Sequence, residues 1–284
     1  MVHRILIVTA VAAEADSVSA GLGLGDPGLL PLPGGLTLRR HRDRVDVLVG
    51  GVGPAAVAAA TGTALAHEAL TGGRGRYGLV VSAGIAGGFL PAAPVGSVVV
   101  SSAIVAADLG AETPDGFLAV EELGFGRSVH HVPEALTDRI TTALTAGIPD
   151  TAGPDTGSPD AMGPDTADPD TGSPDAGNTA APDTAAPPYA LAPVLTVSTV
   201  TGTARRAAEL AERHPTAAAE AMEGFGVAEA AAAHGVPVVE IRAVSNAVGP
   251  RDRAAWRIGE ALGALRHTFE LLSRTVLVEP WEPS

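Results

Sequence analysis

The sequence predicts an α/β fold, a single three-layer domain whose mixed central β-sheet is flanked by helices. Three observations lead there. Apolar runs rich in Val and Ile recur between Gly and Pro breaks, and they alternate with Ala-rich stretches of helical length. Such runs, with little polar alternation, belong to strands covered on both faces. Hydrophobic residues fill 46% of the 284 positions while aromatics fill only 3%, so the core is large and built of Val, Ile, Leu and Ala.

The elements follow in order. RILIVTA (4–10) reads as a first buried strand with a helix behind it. The opening MVHRILIVTAVAAEADS has some features of a secretory leader, but its apolar stretch is short. Glu14 and Asp16 also stand where a neutral cleavage site belongs. LTLRRHRDRVDVLVGG (36–51) reads as a strand pair, and PAAVAAATGTALAHEAL (54–70) as a helix with Pro54 in the tolerated first turn. YGLVVSAG (77–84) and GSVVVSSAIVAADLG (96–110) are strands, and PEALTDRITTAL (133–144) is a helix. A strand, LAPVLTVSTV (191–200), precedes a helix, ARRAAELAERH (204–214). AEAMEGFGVAEAAAAHG (219–235) is a short strand running into a helix. VPVVEIRAVS (236–245) is a strand, and AAWRIGEALGALRHTFELLS (254–273) is the last helix.

One stretch interrupts the domain expected over 1–284. From Pro149 the pair Pro-Asp returns every five residues as far as Pro174, and residues 150–188 hold eight Asp and no Arg. Such a segment cannot bury enough apolar surface to offset its ordering entropy, so 149–188 is expected to be a disordered insertion. Setting those eight charges aside takes the formal net charge from −14 to −6, an ordinary surface. The cationic residues are all Arg and lie scattered, which argues against nucleic acid and anionic membrane as partners. No apolar run approaches the roughly 18 residues of a membrane span. The chain has no Cys, which excludes disulfides, thiolate metal sites and a thiol nucleophile and fits a cytoplasmic location.

Ligands of open α/β sheets sit beyond the carboxyl ends of the strands. Polar residues at those points are Glu14, the SAGIAGG stretch (82–88), the run 198–203, Met222-Glu223 and Ser245-Asn246. Each also has a structural reading. Glu14 and Glu223 suit helix N-termini, SAGIAGG suits a tight strand-to-helix turn, and Asn246 suits a turn before Gly249-Pro250. GGVGPAA (50–56) matches G-x-G-x-x-A between strand and helix, as in dinucleotide sites. The acidic residue such sites place about 20 positions on is missing, because the next strand ends in Val81-Ser82-Ala83.

In sum of order and spacing, Ala-Val-Ala-Ala-Glu14, SAGIAGG, AMEGFG and IRAVSNAVGPRD resemble the nucleoside phosphorylase and nucleosidase superfamily, across nearly the whole chain outside the Pro-Asp stretch. Among its subfamilies the run SNAVGPRDRAAWRIGEAL is most similar to the futalosine hydrolases. The resemblance implies a nucleoside phosphorylase-like fold, a small-molecule nucleoside substrate and a homo-oligomer. It also implies hydrolysis of the N-ribosidic bond of futalosine to hypoxanthine, in the futalosine route to menaquinone, with no metal and no organic cofactor. Glu14 then matches the base that activates water, Glu223 the acceptor of ribose hydroxyls and Met222 the residue packed on the sugar. Asn246 stands where adenine nucleosidases carry Asp. An amide can donate to O6 of a 6-oxopurine and accept from its N7–H. Gly84, Ile85, Thr203 and Phe225 complete the expected substrate site, with Phe225 or Phe89 as the aromatic on the purine and Asp108 as a further candidate. Rival readings are a purine nucleoside phosphorylase, a methylthioadenosine-type nucleosidase, a nucleoside-binding module without turnover and a dinucleotide-binding oxidoreductase. Phosphorolysis asks for a cationic anion site; no Arg lies between Glu14 and Thr37, and Arg39, Arg40 and Arg42 are expected to be solvated on a strand.

Overall fold

The protein is described here by a computed structural model over residues 4–71, 76–146 and 189–277. The Pro-Asp stretch at 149–188 lies outside the described residues.

Strand β1 (Arg4–Thr9) is buried at all six positions, as its unbroken apolar run requires. It enters helix α1 (Ala12–Leu22), and β2 (Gly28–Pro31), β3 (Thr37–His41) and β4 (Val45–Val49) follow as an antiparallel meander. Helix α2 (Pro54–Thr71) starts on its proline and leads to the long β5 (Tyr77–Gly88). Then come β6 (Val98–Ala106), a hairpin of β7 (Gly110–Thr113) and β8 (Gly116–Ala119), the short β9 (Val129–His131), and α3 (Glu134–Ala146). The last third alternates β10 (Tyr189–Thr196), α4 (Ala204–Arg213), β11 (Ala219–Ala221), α5 (Gly224–Ala233), β12 (Val238–Ala247) and α6 (Ile258–Ser273).

Nine strands lie side by side in the order β11-β10-β6-β12-β5-β1-β4-β3-β2, with β9 added on β6. The sheet is mixed: β1 runs parallel to β4 and β5, while β12 is parallel to β5 and antiparallel to β6. β11 also pairs with the far end of β5, so β5, β12, β6, β10 and β11 close into a ring. Helices α1 and α6 pack together, as do α2 and α5, and they cover the sheet. Leu6, Ile7, Val47, Leu48, Val80, Ile241, Leu265 and Phe269, all at most 1% exposed, form part of one core. Each such side chain contributes about 1.5–3 kcal/mol by leaving water.

The structure departs from the sequence reading in specific places. SAGIAGG is not a strand-to-helix turn but the second half of β5, continuous to Gly88. Its glycines answer close approaches instead: a Cβ on Gly88 would lie 2.1 Å from the Ala93 carbonyl oxygen. β10 ends at Thr196 rather than at residue 200. Residues 253–255 form a separate 3₁₀ turn, in which Asp252 Oδ1 accepts from the Ala254 N–H at 3.0 Å, so α6 begins only at Ile258. At the amino end of the sheet Arg4 is 1% exposed and pairs with Asp46 and Glu68. Arg40 reaches the same Glu68 at 3.4 Å, so it is tied to a buried cluster rather than simply solvated.

Candidate active site

The carboxyl ends of β1, β5, β11 and β12 surround a cleft of about 310 Å³. Glu14, Ile85, Met222, Glu223 and Asn246 line it together. Residues distant in sequence meet there because β1, β5 and β12 run parallel and end on one side, while β11, antiparallel to β5, pairs with the last two residues of that strand and brings Met222 and Glu223 to the same place.

Glu14 is the third residue of α1 and only 3% exposed. Its Oε2 accepts the Ala10 and Val11 N–H groups at 2.9 and 3.2 Å, and its Oε1 accepts the Ile85 N–H at 2.9 Å. The carboxylate therefore occupies donors that a helix start leaves unpaired while also lining the cleft. Gly84 makes this possible, since a Cβ there would lie 2.6 Å from Glu14 Oε1 and 2.6 Å from Arg242 Nη1. Gly84 is thus a neighbour of the site rather than part of its lining.

Glu223 caps the start of α5 in position only; its side chain turns into the site. Oε1 accepts the Gly53 N–H at 3.2 Å, and Oε2 lies 3.1 Å from Arg242 Nη1 and 3.3 Å from the Met222 N–H. GGVGPAA is accounted for here. Gly51 and Gly53 take positive φ of 92° and 91°, and the turn presents a backbone donor to Glu223. Its backbone thereby serves a carboxylate of the protein itself.

Arg242 joins these groups and was not singled out from the sequence. It is 1% exposed on β12, with Nε 2.7 Å from Glu240 Oε1 and Nη2 3.2 Å from Ser82 Oγ. Burial disfavours its charge, but Glu240, Glu223 and Glu14 together more than offset that, so its pKa is raised. Glu240, wholly buried, is pushed up to about 7 by desolvation, against the pull of Arg242. Three carboxylates around one guanidinium explain why a fully buried cation is tolerated.

Asn246, one residue before the end of β12, is half-buried. Ser245 Oγ reaches its Oδ1 at 2.8 Å, and its Nδ2 donates to the Ala247 carbonyl at 3.0 Å. One amide N–H and one oxygen lone pair remain for a ligand. The Ala247 carbonyl, which can only accept, sets the flip of the amide, whereas the Ser245 hydroxyl can donate or accept and also reaches the Ala86 carbonyl at 3.2 Å.

Four candidates from the sequence are elsewhere. Thr203 is exposed at the N-cap of α4, where its hydroxyl accepts the Arg206 N–H at 3.2 Å; it caps a helix and does not line the cleft. Phe225 is 8% exposed, its N–H donating to Thr196 Oγ1 at 2.9 Å and its ring 5.2 Å from that of His130. It belongs to the core, as does Phe89, and neither forms the cleft wall. Asp108 accepts the Ser198 N–H at 2.6 Å and likewise stands off the cleft. The aromatic of the lining is Trp256, which follows the 3₁₀ turn and lies ahead of α6, not inside the helix expected from the sequence. Glu220 and Thr201 also line it. Only the sheet register could have found Glu220, because three residues of strand give no pattern. Among the described residues no group of three or more His, Asp or Glu is arranged to hold a metal ion, and no helix is long and apolar enough to cross a membrane.

Comparison with known proteins agrees with this geometry. Residues 4–277 match the profile of the Phosphorylase superfamily. Over 280 residues the chain is 50% identical to a futalosine hydrolase of Streptomyces coelicolor, covering 99% of this chain and 98% of that one. A futalosine hydrolase of Acidothermus cellulolyticus is 41% identical over 268 residues, 94% of this chain and 89% of the relative. In three dimensions the native structure of futalosine hydrolase of Helicobacter pylori superposes with a TM-score of 0.68 at 15% identity, covering 96% of this chain and 99% of that one, which speaks to the fold alone.

Proposed function

This chain belongs to the phosphorylase superfamily, and from that membership we propose that its cleft is the active site of an N-glycosyl hydrolase acting on futalosine. The reaction breaks the bond between the ribose anomeric carbon and the purine, releasing hypoxanthine and leaving water's hydroxyl on the sugar. The observation that carries it is the pairing of Glu14 and Glu223 around Arg242 beneath a cleft closed at the base end by an amide, in a chain 50% identical to a futalosine hydrolase over nearly its full length.

As the bond breaks, positive charge grows on the sugar. Glu14 takes the proton of the attacking water, and its carboxylate near the anomeric carbon favours the developing cation. Glu223, fixed by Gly53 and Arg242, accepts hydrogen bonds from ribose hydroxyls, while Met222 packs on the sugar. The free N–H of Asn246 donates to O6, and its oxygen accepts from N7–H once N7 has taken a proton from solvent as the base leaves, since an amide is no general acid. An aspartate there would favour the 6-amino group instead. Water rather than phosphate is the nucleophile, because no arginine lines the cleft and Arg242 is already enclosed by carboxylates. The reading extends to a place in the futalosine route to menaquinone and to a cytoplasmic homo-oligomer. Exposed Leu109 and Phe125, 44% and 81% exposed near the hairpin, support the last point as apolar surface suited to a second copy.

Base release from futalosine in phosphate-free buffer, beside inosine and methylthioadenosine, tests this. Hypoxanthine from futalosine is expected. Glu14→Gln is expected to lower kcat by about 10²–10⁴ with little change in binding of the free base. Adenine from methylthioadenosine as the main product would contradict the role given to Asn246, and release only on adding phosphate would make the enzyme a phosphorylase.

A further inference from the structure

One cleft carboxylate has no part in that chemistry. Glu220 is the middle residue of β11, 6% exposed, and it lines the cleft. Its backbone pairs with Gly87 of β5, and Asn246 pairs with the same Gly87. The two partners flank β5: its first half carries β1 on the edge where its last two residues carry β11, and β12 runs along the other edge. Residues in register across strands share a face, and one intervening strand sets their backbones about 10 Å apart. Gly87 lies between them, and only a residue without a side chain fits there, since a Cβ would stand 2.9 Å from Val248 Cγ2 and 3.3 Å from Asn246 Nδ2.

The carboxylate is held in place. Oε1 accepts the Thr201 N–H at 2.9 Å and Oε2 the Thr201 hydroxyl at 2.5 Å. Each oxygen keeps a further lone pair. Burial raises the Glu220 pKa, and the hydrogen bonds from Thr201, with Arg206 nearby, act against the rise. Anchoring the 197–203 loop is one use of such a group. A neutral acceptor would anchor it without the desolvation cost of a charge, so the ionisable side chain at the cleft asks for a ligand donor.

A 6-oxopurine presents, along one edge, the N7 position, the O6 acceptor and an N1–H donor. Asn246 addresses the first two. A 6-aminopurine carries a lone pair at N1, which a carboxylate would repel. We propose that Glu220 is a specificity-determining residue that accepts the N1–H of the 6-oxopurine, so that the base is read from both edges of β5. This rests on the nucleosidase reading above, and adds the residue that rejects 6-aminopurines.

The test compares kcat/KM for futalosine and aminofutalosine, which share sugar and carboxylic arm and differ at position 6. The Glu220→Gln side chain can donate to a bare N1, so its oxo-over-amino preference is expected to fall about tenfold or more, the size of one mismatched polar pair in a buried site. If Glu220 only anchors the loop, both rates fall by one factor and the ratio stays, which overturns the proposal. Thr201→Val, which removes the anchor's hydroxyl and keeps the carboxylate, is expected to lower both rates together; a ratio change as large as that of E220Q would also overturn it. Should E220Q not fold, the wild-type protein suffices: 1-deazahypoxanthine, with C–H in place of N1–H, is expected to bind about tenfold more weakly than hypoxanthine, and equal binding refutes the assignment. Because free-base binding needs no turnover, a wild type that cleaves neither substrate would sink the hydrolase reading and leave this result standing.

Discussion

A carboxylate that is only 3% exposed must find donors, and Glu14 finds three backbone N–H groups. Glu223 finds Gly53, Met222 and Arg242. Glu240 has less: Arg242 Nε on one oxygen, while its Oε2 has no hydrogen-bond partner. That inequality is why burial lifts Glu240 to about 7. The sign for stability follows from proton binding. A carboxyl whose folded pKa lies above its unfolded value of 4.5 binds more protons when folded, so its contribution is present at low pH and is lost as pH rises through about 7. Glu240→Gln removes that term. Between about pH 5 and 7.5 the unfolding midpoint of the wild type is therefore expected to decline relative to that of the variant, measured by calorimetry at fixed ionic strength; parallel curves would refute the assignment.

At the level of single elements, short pieces carry most of the positioning. β11 has three residues, yet it closes the strand ring and sets Glu220 opposite Gly87. α5 can follow it so tightly only because residue 224 is glycine: a Cβ there would stand 2.0 Å from Glu240 Oε2. α4 depends on its cap. Thr203→Ala removes the acceptor for the Arg206 N–H and is expected to cost about 1 kcal/mol of stability, read from urea unfolding, while KM for futalosine stays within about twofold. A rise in KM without loss of stability would return Thr203 to the binding site. An exposed hydroxyl beside an unpaired helix N-terminus is satisfied locally before it can serve a ligand.

For the whole molecule, the break between α3 and β10 is informative. Thr145 Oγ1 and Tyr189 Oη lie 2.7 Å apart, so the two ends of the 147–188 stretch meet. We infer that this stretch is a removable insertion. Replacing residues 149–188 with about five Gly and Ser residues is expected to leave kcat/KM unchanged and to add about 2 kcal/mol of stability, since about three halvings of loop length each save about 0.6 kcal/mol of closure entropy. A large loss of activity would instead give the Pro-Asp repeat a role. The strand and helix alternation, the buried strands, and the positions of Glu14, Met222, Glu223 and Asn246 were all legible along the chain, because burial patterning and strand-end polarity are local properties. Which residues share a cleft was not. Arg242 lay hidden in an apolar run, Trp256 inside an apparent helix, and Glu220 on a three-residue strand. Phe225 and Thr203, expected at the substrate, belong to core and cap. Register across β5 and closure of the ring decide those cases, and both depend on pairings between residues more than a hundred positions apart, which no local pattern encodes.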